Sequence, residues 1–169
     1  RYNFIQSTFA NYWTNNFRLF PAVLIDNVLQ VSETEFVTED LIEANFINCI
    51  IYGNEARELI FVENESAAFN FNFVNSLIRF DDPSGNYSDD PNYDFSNENL
   101  YVDIVRNQDP TFFKTNLNNF NIESEVSGAD GIANPAGAAL VPFDANGISR
   151  IVPFPDAGAY QSIVFPDEG

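Results

Sequence analysis

Acidic side chains in one polar segment are the first group of residues that could do chemistry. Five aspartates fall within residues 81–99: Asp81, Asp82, Asp89, Asp90 and Asp94. Carboxylate oxygens are hard donors, and one loop can wrap several of them around Ca²⁺. Their spacing does not follow the D-x-[DN]-x-[DN]-G pattern of a defined calcium loop. A calcium site and a solvated acidic loop therefore both stay open, and calcium is the only cofactor that the sequence indicates.

Aromatic side chains in two polar segments form the second group. Residues 11–20 and 81–99 carry the four rings that we predict to lie on loops: Tyr12, Trp13, Tyr87 and Tyr93. Tyrosine and tryptophan combine a large apolar face with a polar group, so they can stack on sugar rings or dock onto a protein. The alternative is that these rings cover the strands or fill gaps at the ends of the fold.

The residues of common enzyme mechanisms are mostly missing. The chain has no histidine, which removes Ser-His-Asp and Cys-His catalysis and histidine-containing zinc sites. Its single cysteine, Cys49, fits a buried strand position. A glycoside hydrolase needs two carboxylates at a set separation, but 25 acidic residues make some such pair inevitable. We predict no catalytic residues and a protein that is not an enzyme, with a polysaccharide lyase or glycoside hydrolase as the alternative.

The charge of the chain limits its partners. The sequence has 7 basic and 25 acidic residues and a net charge of −18. Such a surface repels phosphate backbones and anionic lipids, so nucleic acid is not expected as a partner. Cations and partners with basic patches are the electrostatic complements. No stretch approaches the roughly 18 consecutive apolar residues of a membrane span, so we expect no transmembrane segment.

A repeated segment indicates how these residues are positioned. Four strand-like copies begin with an apolar residue and have an amide at the third position: residues 4–9, 25–30, 46–51 and 73–78. The amide occurs at Gln6, Asn27 and Asn48, which are equally spaced, and after a longer interval at Asn75. A regular period of this length is typical of stacked repeat architectures. We expect the four amides to stack in one row and to hydrogen-bond with one another.

The repeat predicts an all-β fold, a right-handed, three-sided parallel β-helix. A period of 21 leaves about seven residues for each side, which suits short strands. Alternating, β-branched and aromatic residues predict strands over residues 3–9, 22–31, 45–52, 59–62, 69–80 and 100–105. The one weak helix candidate is 38–44. We expect about five coils in residues 1–106, and a final coil with an irregular C-terminal cap in residues 107–169.

Several polar positions are expected to be structural. The predicted row of amides consists of Gln6, Asn27, Asn48 and Asn75. Asparagine tolerates a left-handed backbone, which suits the corners of such a coil. Near the C-terminus, Gly158 permits a tight turn. Asp156 is expected to cap main-chain amides or to pair with Arg150.

Five short motifs occur in order along the chain. Residues 48–54 (NCIIYGN) follow the pattern N-[SC]-I-I-[WY]-G-N, and residues 107–112 (NQDPTF) follow N-x-D-P-x-F. Residues 127–131 (SGADG) are a degraded form of S-P-A-I-D-x-G. Residues 144–150 (DANGISR) and 155–161 (PDAGAYQ) follow D-x-x-G-x-x-R and P-D-I-G-A-[YF]-[EQ]. Together they resemble a family of right-handed parallel β-helix proteins found on the surface of Bacteroidota.

This resemblance implies secreted proteins or lipoproteins of the cell surface, and it supplies no catalytic residues. The main departure is Ala157, where the family has isoleucine. We therefore expect a non-catalytic structural or interaction module of an exported bacterial protein, for example a subunit of an outer-membrane complex. Its partner would be a protein of the cell envelope or a surface glycan. The alternative is a polysaccharide-active enzyme or a glycan-binding module. Because the first residue is Arg1 and the repeat begins almost at once, we expect a longer protein whose N-terminal part is missing.

Overall fold

The structure is a computed structural model that describes residues 1–14 and 18–167. Its strands are β1 (Tyr2–Ile5), β2 (Thr8–Asn11), β3 (Val23–Asp26), β4 (Val28–Gln30), β5 (Phe36–Thr38), β6 (Leu41–Ile47), β7 (Ile50–Gly53), β8 (Leu59–Val62), β9 (Phe69–Val74), β10 (Leu77–Ile78), β11 (Tyr101–Val102), β12 (Val105–Arg106), β13 (Phe112–Lys114) and β14 (Asn119–Ile122). One α-helix, α1 (Pro135–Leu140), and two 3₁₀ turns, Pro91–Tyr93 and Thr115–Leu117, complete the regular elements among these residues.

Three parallel sheets form the framework. The first sheet has the order β1-β6-β9-β11, the second has the order β2-β7-β10-β12, and the third contains β3 and β8 only. Two antiparallel pairs, β4–β5 and β13–β14, accompany them. The fold is therefore all-β in its main part, with mixed sheets.

Alternation in the sequence explains why these segments are strands. In β3, Val23 and Ile25 are buried whereas Leu24 and Asp26 are exposed. Successive side chains of a strand point to opposite faces, so this pattern directs every second residue into the core.

Aromatic residues at equivalent positions hold the first sheet together. Phe4 pairs with Phe46, Phe46 with Phe73, and Phe73 with Tyr101. Their rings stack with centroid separations of 4.9, 4.6 and 5.6 Å. Such stacking adds to the stabilisation from burial of the rings. The result is a continuous aromatic column through the core.

The prediction of a right-handed, three-sided parallel β-helix of about five coils is wrong. The third sheet stops after two strands, two antiparallel pairs interrupt the parallel pattern, and the described residues form no closed solenoid. Parallel, in-register pairing is present, but only within separate sheets. The expected weak helix over 38–44 is also wrong, because its second half belongs to β6.

The regular spacing of the amides misplaced one copy of the repeat. Ile25 pairs with Phe61 in the third sheet and not with Phe4 or Phe46. Consequently Asn27 is not in the amide row, and its main-chain N–H donates to the carbonyl of Val62 instead. The residues that occupy equivalent positions between the first and second sheets all have a positive φ, and they are unequally spaced along the chain: Gln6, Asn48, Asn75 and Asp103.

An aromatic segment replaces the missing third strand of the third sheet. The main-chain N–H of Phe61 donates to the hydroxyl of Tyr93 at 2.9 Å. The Tyr93 ring stacks on Phe80, with centroids 4.6 Å apart. Residues 81–99 therefore fold over the core as a cover, in which the hydroxyl of Tyr93 accepts from a main-chain N–H that another strand would otherwise pair.

Residues 107–167 pack mainly against the second sheet. Ala129, Ala133 and Ala157 are buried in one cluster with Ile50 and Leu77. The small alanine side chains allow irregular backbone to approach the sheet closely. Within the part of the chain that the structure describes, no helix has both the length and the apolar character needed to cross a membrane.

Candidate functional site

Three sheet edges meet at one end of the molecule. The strands β1, β2 and β3 follow one another along the chain, and each has a sheet neighbour on one side only: β6, β7 and β8 respectively. We call a set of successive strands, one in each sheet, a layer, so that β1, β2 and β3 form the first layer. This first layer, with the recess that it encloses, is the open end. An edge strand presents a row of unpaired main-chain N–H and C=O groups, which is a template for pairing with another chain.

The repeat shows which carbonyl of β1 faces outward. The N–H of Gln6 donates to the carbonyl of Ile47 at 3.0 Å, and the N–H of Asn48 donates to that of Val74 at 2.9 Å. Each carbonyl in this position thus accepts from the preceding layer. The equivalent carbonyl in β1 is that of Ile5, which accepts a side-chain hydrogen bond from Ser7 and faces the side of the sheet where β1 has no neighbour.

The same comparison identifies an outward donor at the second sheet. The N–H of Ile50 donates to the carbonyl of Ser7, and the N–H of Leu77 donates to that of Cys49, both at 2.9 Å. The equivalent donor in the first layer is the N–H of Thr8. Because β2 is an edge strand, this group also faces the open end.

Apolar side chains line the recess. Phe4 and Phe9 meet edge to face, with centroids 5.3 Å apart, and Val23 and Ile25 contribute from β3. The recess has a volume of about 340 Å³. Phe4 is the first ring of the aromatic column and stacks on Phe46 on one side. The interior of the fold is therefore open to solvent at this end.

The rim of the open end is acidic. A neighbouring recess of about 240 Å³ is lined in part by Asp26, Glu39 and Asp40. Glu43 lies 3.8 Å from Arg1, the basic residue at this end. The four carboxylates exceed the single guanidinium, so the rim favours a partner with basic side chains.

The hairpin β4–β5 extends the apolar surface next to this rim. Leu29 pairs with Val37, and Gln30 pairs with Phe36. Leu29 is 64% exposed and Phe36 is 59% exposed. Large apolar residues on an exposed hairpin are typical of a surface that contacts another molecule.

The amide row does not hydrogen-bond within itself as expected. Asn48 Nδ2 donates to the carbonyl of Asn134 at 2.9 Å, and Asn75 Nδ2 donates to that of Ile132 at 3.0 Å. The row therefore holds the segment before α1. Gln6 is buried, and its amide has no hydrogen-bond partner among the described residues. The φ angles are 53° for Gln6, 55° for Asn48 and 47° for Asn75, all in the left-handed region.

Of the four aromatic residues that were predicted to bind a ligand, the structure buries one, half-buries two and exposes one. Tyr93 is buried, and its burial raises the pKa of its hydroxyl to about 12. Tyr87 is half-buried and packs on Tyr93. Tyr12 is half-buried, and its ring meets Phe112 edge to face. Trp13 is 54% exposed. Part of the predicted loop over 11–20, residues 15–17, lies outside the described residues.

The aspartates of residues 81–99 mainly cap turns. Asp82 Oδ2 accepts from the N–H of Tyr87 at 2.8 Å, and Asp90 Oδ1 accepts from that of Asn92 at 2.9 Å. Hydrogen bonds from Ser96 lower the pKa of Asp94. Asp81 and Asp89 are exposed. Across the described ranges, no group of three or more acidic or cysteine side chains converges on a possible metal position. The calcium site stays a prediction.

A second recess brings two of these aspartates near an arginine. Asp81, Asp82 and Arg106 line a recess of about 280 Å³ beside the aromatic cover. Asp82 Oδ1 lies 3.8 Å from Arg57, and the guanidinium of Arg106 lies 4.4 Å from the centroid of Phe95. A glycoside hydrolase uses two carboxylates, and this recess is the place where two of the predicted aspartates lie beside an arginine.

Glu58 is a buried charge that the sequence did not reveal. Its carboxylate accepts from Arg18 at 2.6 Å and from the main-chain N–H groups of Ala22 at 2.8 Å and Glu55 at 2.9 Å. A buried carboxylate with these three partners is well compensated. Gly53 makes room for it, since a Cβ there would lie 2.1 Å from Glu58 Oε1. This network joins residues 18–22 to the segment between β7 and β8.

The closing motif is also a buried network. Arg150 donates to Gln161 Oε1 at 3.0 Å and to the carbonyl of Gly158 at 2.9 Å. Asp156 accepts from the N–H groups of Gly131 and Ser162, both at 2.7 Å. Arg150 thus meets the carbonyl of Asp156, at 3.4 Å, and not its carboxylate.

Glycine at position 158 is required by space as well as by conformation. Its φ is 91°, and a Cβ there would lie 2.5 Å from Ile50 and 2.6 Å from Thr8 Oγ1. The C-terminal segment therefore lies directly against the second sheet.

The single cysteine is inert in this fold. Cys49 is completely buried, and burial raises the pKa of its thiol to about 12. A thiol with so high a pKa is almost entirely protonated at neutral pH and is a poor nucleophile.

Comparison with protein-family models, with curated proteins and with solved structures yields no match to this chain.

Sequence reasoning missed the open end because it assumed that β3 lies in the same row as β1. One signal was nevertheless available. The segments Tyr2–Ile5, Thr8–Asn11 and Val23–Asp26 contain no lysine, no proline and one acidic residue. Natural edge strands are usually blunted by such residues, so strands that lack them are expected to have a partner.

Proposed function

We propose that the protein is a non-catalytic interaction module that binds an extended polypeptide segment at the open end. The partner adds its main chain to the free edges of the parallel sheets and places apolar side chains in the recess. Strand addition of this kind obtains affinity from main-chain hydrogen bonds and specificity from pockets for alternate side chains.

One observation carries this proposal: three sheet edges that contain no lysine or proline surround an apolar recess. Strands β1, β2 and β3 each lack a neighbour on one side, and Phe4 and Phe9 line the opening between them. An open apolar core end exposes both unpaired main-chain groups and hydrophobic surface, and strand addition covers both at once.

The state of the buried acidic groups supports a non-catalytic role. Glu58 is paired with an arginine and two main-chain N–H groups. Asp144 accepts from three main-chain N–H groups, those of Asn146, Ile148 and Gln161. Carboxylates held in this way stabilise local backbone and have no free oxygen directed at a substrate.

A location on the bacterial cell surface, within an envelope complex, is part of the same proposal. It rests on the motif resemblance of residues 48–54, 107–112, 127–131, 144–150 and 155–161. Protease accessibility of the protein on intact cells, compared with lysed cells, tests this location. Protection on intact cells together with cleavage after lysis would contradict it.

Peptide selection with hydrogen-exchange mapping tests the proposed binding mode. Peptides are selected from a random phage-displayed library against the immobilised protein, and amide exchange is then compared with and without each peptide. We expect slower exchange in the three edge strands. Selected peptides that protect other regions, or no region, would refute binding at the open end.

A proline variant at the edge gives a matched control. The N–H of Val23 donates to Glu58 at 2.9 Å and that of Asn27 to Val62 at 3.4 Å, so the intervening N–H of Leu24 faces away from β8. Leu24→Pro removes this outward donor, and edge strands tolerate proline there. We expect Leu24→Pro to fold by circular dichroism and to lose peptide affinity, whereas Leu24→Val keeps it.

The second recess supports an alternative function, the binding or cleavage of a glycan. Asp81, Asp82 and Arg106 supply the charged groups, and Phe95 supplies a ring. Incubation with polysaccharides, followed by measurement of reducing ends and unsaturated products, tests cleavage. Activity that is lost in Asp81→Asn and retained in Leu24→Pro would favour this alternative over the open end.

A further inference from the structure

We infer that the segment bound at the open end forms two successive strands, one parallel to β1 and the next parallel to β2. It repeats the pattern of the chain itself: an aromatic residue, an aliphatic residue, Asn or Asp, a small hydroxyl residue, and two further apolar residues, with basic side chains flanking them. This inference rests on the proposed function, and it adds the direction, the register and the side-chain chemistry of the partner.

The aromatic column defines the first position. Phe46 and Phe73 each have an aromatic neighbour in both adjacent layers, whereas Phe4 has one in the next layer only. An incoming strand in register with β1 places its own ring against the free side of Phe4. A ring at this position gains a stacking contact in addition to burial, so phenylalanine or tyrosine is favoured there.

The backbone between the two sheets defines the third position. Gln6, Asn48, Asn75 and Asp103 have φ angles of 53°, 55°, 47° and 49°. Each lies where the chain leaves the first sheet and enters the second. An added layer has to make the same bend, and Asn, Asp and Gly adopt the left-handed region at the lowest cost.

Hydrogen bonds between layers define the fourth position. Ser76 Oγ accepts from the N–H of Cys49 at 3.0 Å and donates to the carbonyl of Phe46 at 3.4 Å. Cys49 Sγ in turn donates to the carbonyl of Phe4 at 3.5 Å. The equivalent Ser7 is therefore placed to reach the carbonyl of the partner's aromatic residue, and a small hydroxyl residue next to the bend continues the pattern.

The outward groups define the direction. The carbonyl of Ile5 is equivalent to that of Ile47, which accepts from the N–H of Gln6 at 3.0 Å. In a parallel partner, the residue at the bend supplies this donor. The outward N–H of Thr8 then meets a partner carbonyl one residue further on. All strand pairs within the first and second sheets are parallel. Parallel addition therefore continues both sheets with one segment.

Charge excludes a second copy as the favoured occupant. The rim carries Asp26, Glu39, Asp40 and Glu43 against Arg1, and the chain has a net charge of −18. Two such ends would repel each other, whereas lysines on either side of an apolar segment face these carboxylates favourably. The favoured occupant is therefore a locally basic polypeptide segment and not a second copy of the residues described here.

Designed peptides test the inference. The probe is fluorescein-labelled Lys-Lys-Asn-Phe-Ile-Asn-Ser-Ile-Ile-Tyr-Gly-Lys-Lys, which follows residues 45–53 with serine in place of Cys49. Its control, Lys-Lys-Phe-Asn-Asn-Ile-Ile-Ser-Tyr-Ile-Gly-Lys-Lys, has the same composition with each of the four neighbouring pairs before the glycine exchanged, so that the alternation is inverted. A shift of one residue moves every side chain to the opposite face. By fluorescence anisotropy we expect the probe to bind about tenfold or more tightly than the control.

Two further variants of the probe test its parts. Replacing the Asn before serine with Gly should keep the affinity, whereas Val should reduce it, because a β-branched residue is disfavoured in the left-handed region. Replacing the four lysines with glutamates should abolish binding at low salt. Equal affinities for the probe and the inverted control would overturn the inference.

The outcomes separate this inference from the proposed function. If selected peptides protect the three edge strands but the probe and the inverted control bind equally, the open end binds polypeptide without the pattern, and only the inference fails. If neither selected nor designed peptides protect these strands, the proposed function fails as well. Dimerisation in light scattering that is lost in Leu24→Pro would identify a second copy as the occupant and overturn the inference.

Discussion

The replacement of Asn48 by alanine is the sharpest test of the fold. This side chain is completely buried and lies where the first and second sheets meet. Its Nδ2 donates to the carbonyl of Asn134 at 2.9 Å, and its Oδ1 accepts from the N–H of the same residue at 2.7 Å. Asn134 also caps α1 through its own side chain. One amide thus connects the sheets to the C-terminal segment.

The magnitude follows from two separate contributions. Asn48 has a φ of 55°, and alanine in the left-handed region costs about 1–2 kcal/mol. The substitution also leaves the partly buried N–H of Asn134 without its side-chain acceptor, at about 1–3 kcal/mol, whereas the carbonyl of Asn134 still accepts from the N–H of Ala138 at 3.0 Å. We expect Asn48→Ala to lower the free energy of unfolding by about 2–5 kcal/mol. Asn48→Gly avoids the conformational part and should be about 1 kcal/mol less damaging.

A matched control isolates the hydrogen bonds. Asn118 has the same φ of 55° as Asn48, but its side chain is exposed. Asn118→Ala should therefore lower stability by only the conformational cost of about 1–2 kcal/mol. Urea denaturation followed by far-ultraviolet circular dichroism gives all three values. The reasoning is refuted if Asn48→Ala costs no more than Asn118→Ala, or if Asn48→Gly is as stable as the unmodified protein.

Three further predictions concern the core, the buried ion pair and the pH dependence of stability. Phe73→Ala should lower the free energy of unfolding by about 3–5 kcal/mol, whereas the exposed Phe36→Ala should change it by less than about 0.5 kcal/mol; similar losses would contradict the aromatic column. Arg18→Met and Glu58→Gln should each cost about 3–5 kcal/mol, and the double variant should cost less than their sum because neither charge is then left unpaired; simple additivity would contradict the pairing. Burial raises the pKa of Asp156 above its ordinary 3.8, so its contribution to stability is complete below that value and is lost as the pH rises through the higher folded pKa. Urea denaturation at pH values from below 3.8 upward should show that Asp156→Asn gains stability relative to the unmodified protein as the pH rises. A difference in the free energy of unfolding that stays constant with pH would contradict the raised pKa.

Local patterns predicted strands well because alternation and turn residues are local properties. The strand expected over 59–62 matches β8, and the one over 45–52 covers the end of β6 and most of β7. The aromatic residues at the starts of three repeat copies do pair in register, since Phe4, Phe46 and Phe73 lie in adjacent strands of one sheet. The aromatic residue that recurs at the same position of each strand is what predicted this register.

The assignment of the second copy failed because a sequence period does not state which sheet a strand joins. Ile25 begins a segment that resembles the others, yet β3 pairs with β8 in the third sheet. The hairpin β4–β5 occupies the residues between β3 and β6. A single layer, from Gln6 to Asn48, therefore looked like two shorter layers of equal length.

Contacts between distant residues were beyond sequence reasoning. Asn48 and Asn134 are 86 positions apart, and Arg18 reaches Glu58 across 40 positions. Neither pair has a spacing that distinguishes it from other polar residues. The open end was missed for the same reason, because a free edge is defined by the strand that is absent from its side.

The direction of hydrogen bonding in the parallel sheets has a mechanical consequence. The bonds between β1, β6 and β9 run from layer to layer, across the strands. Tension applied across the layers loads these bonds one row after another, so the sheets peel apart at low force. Tension applied along the strands loads all bonds of a layer together in shear. The molecule should therefore resist pulling much better in one direction than in the other.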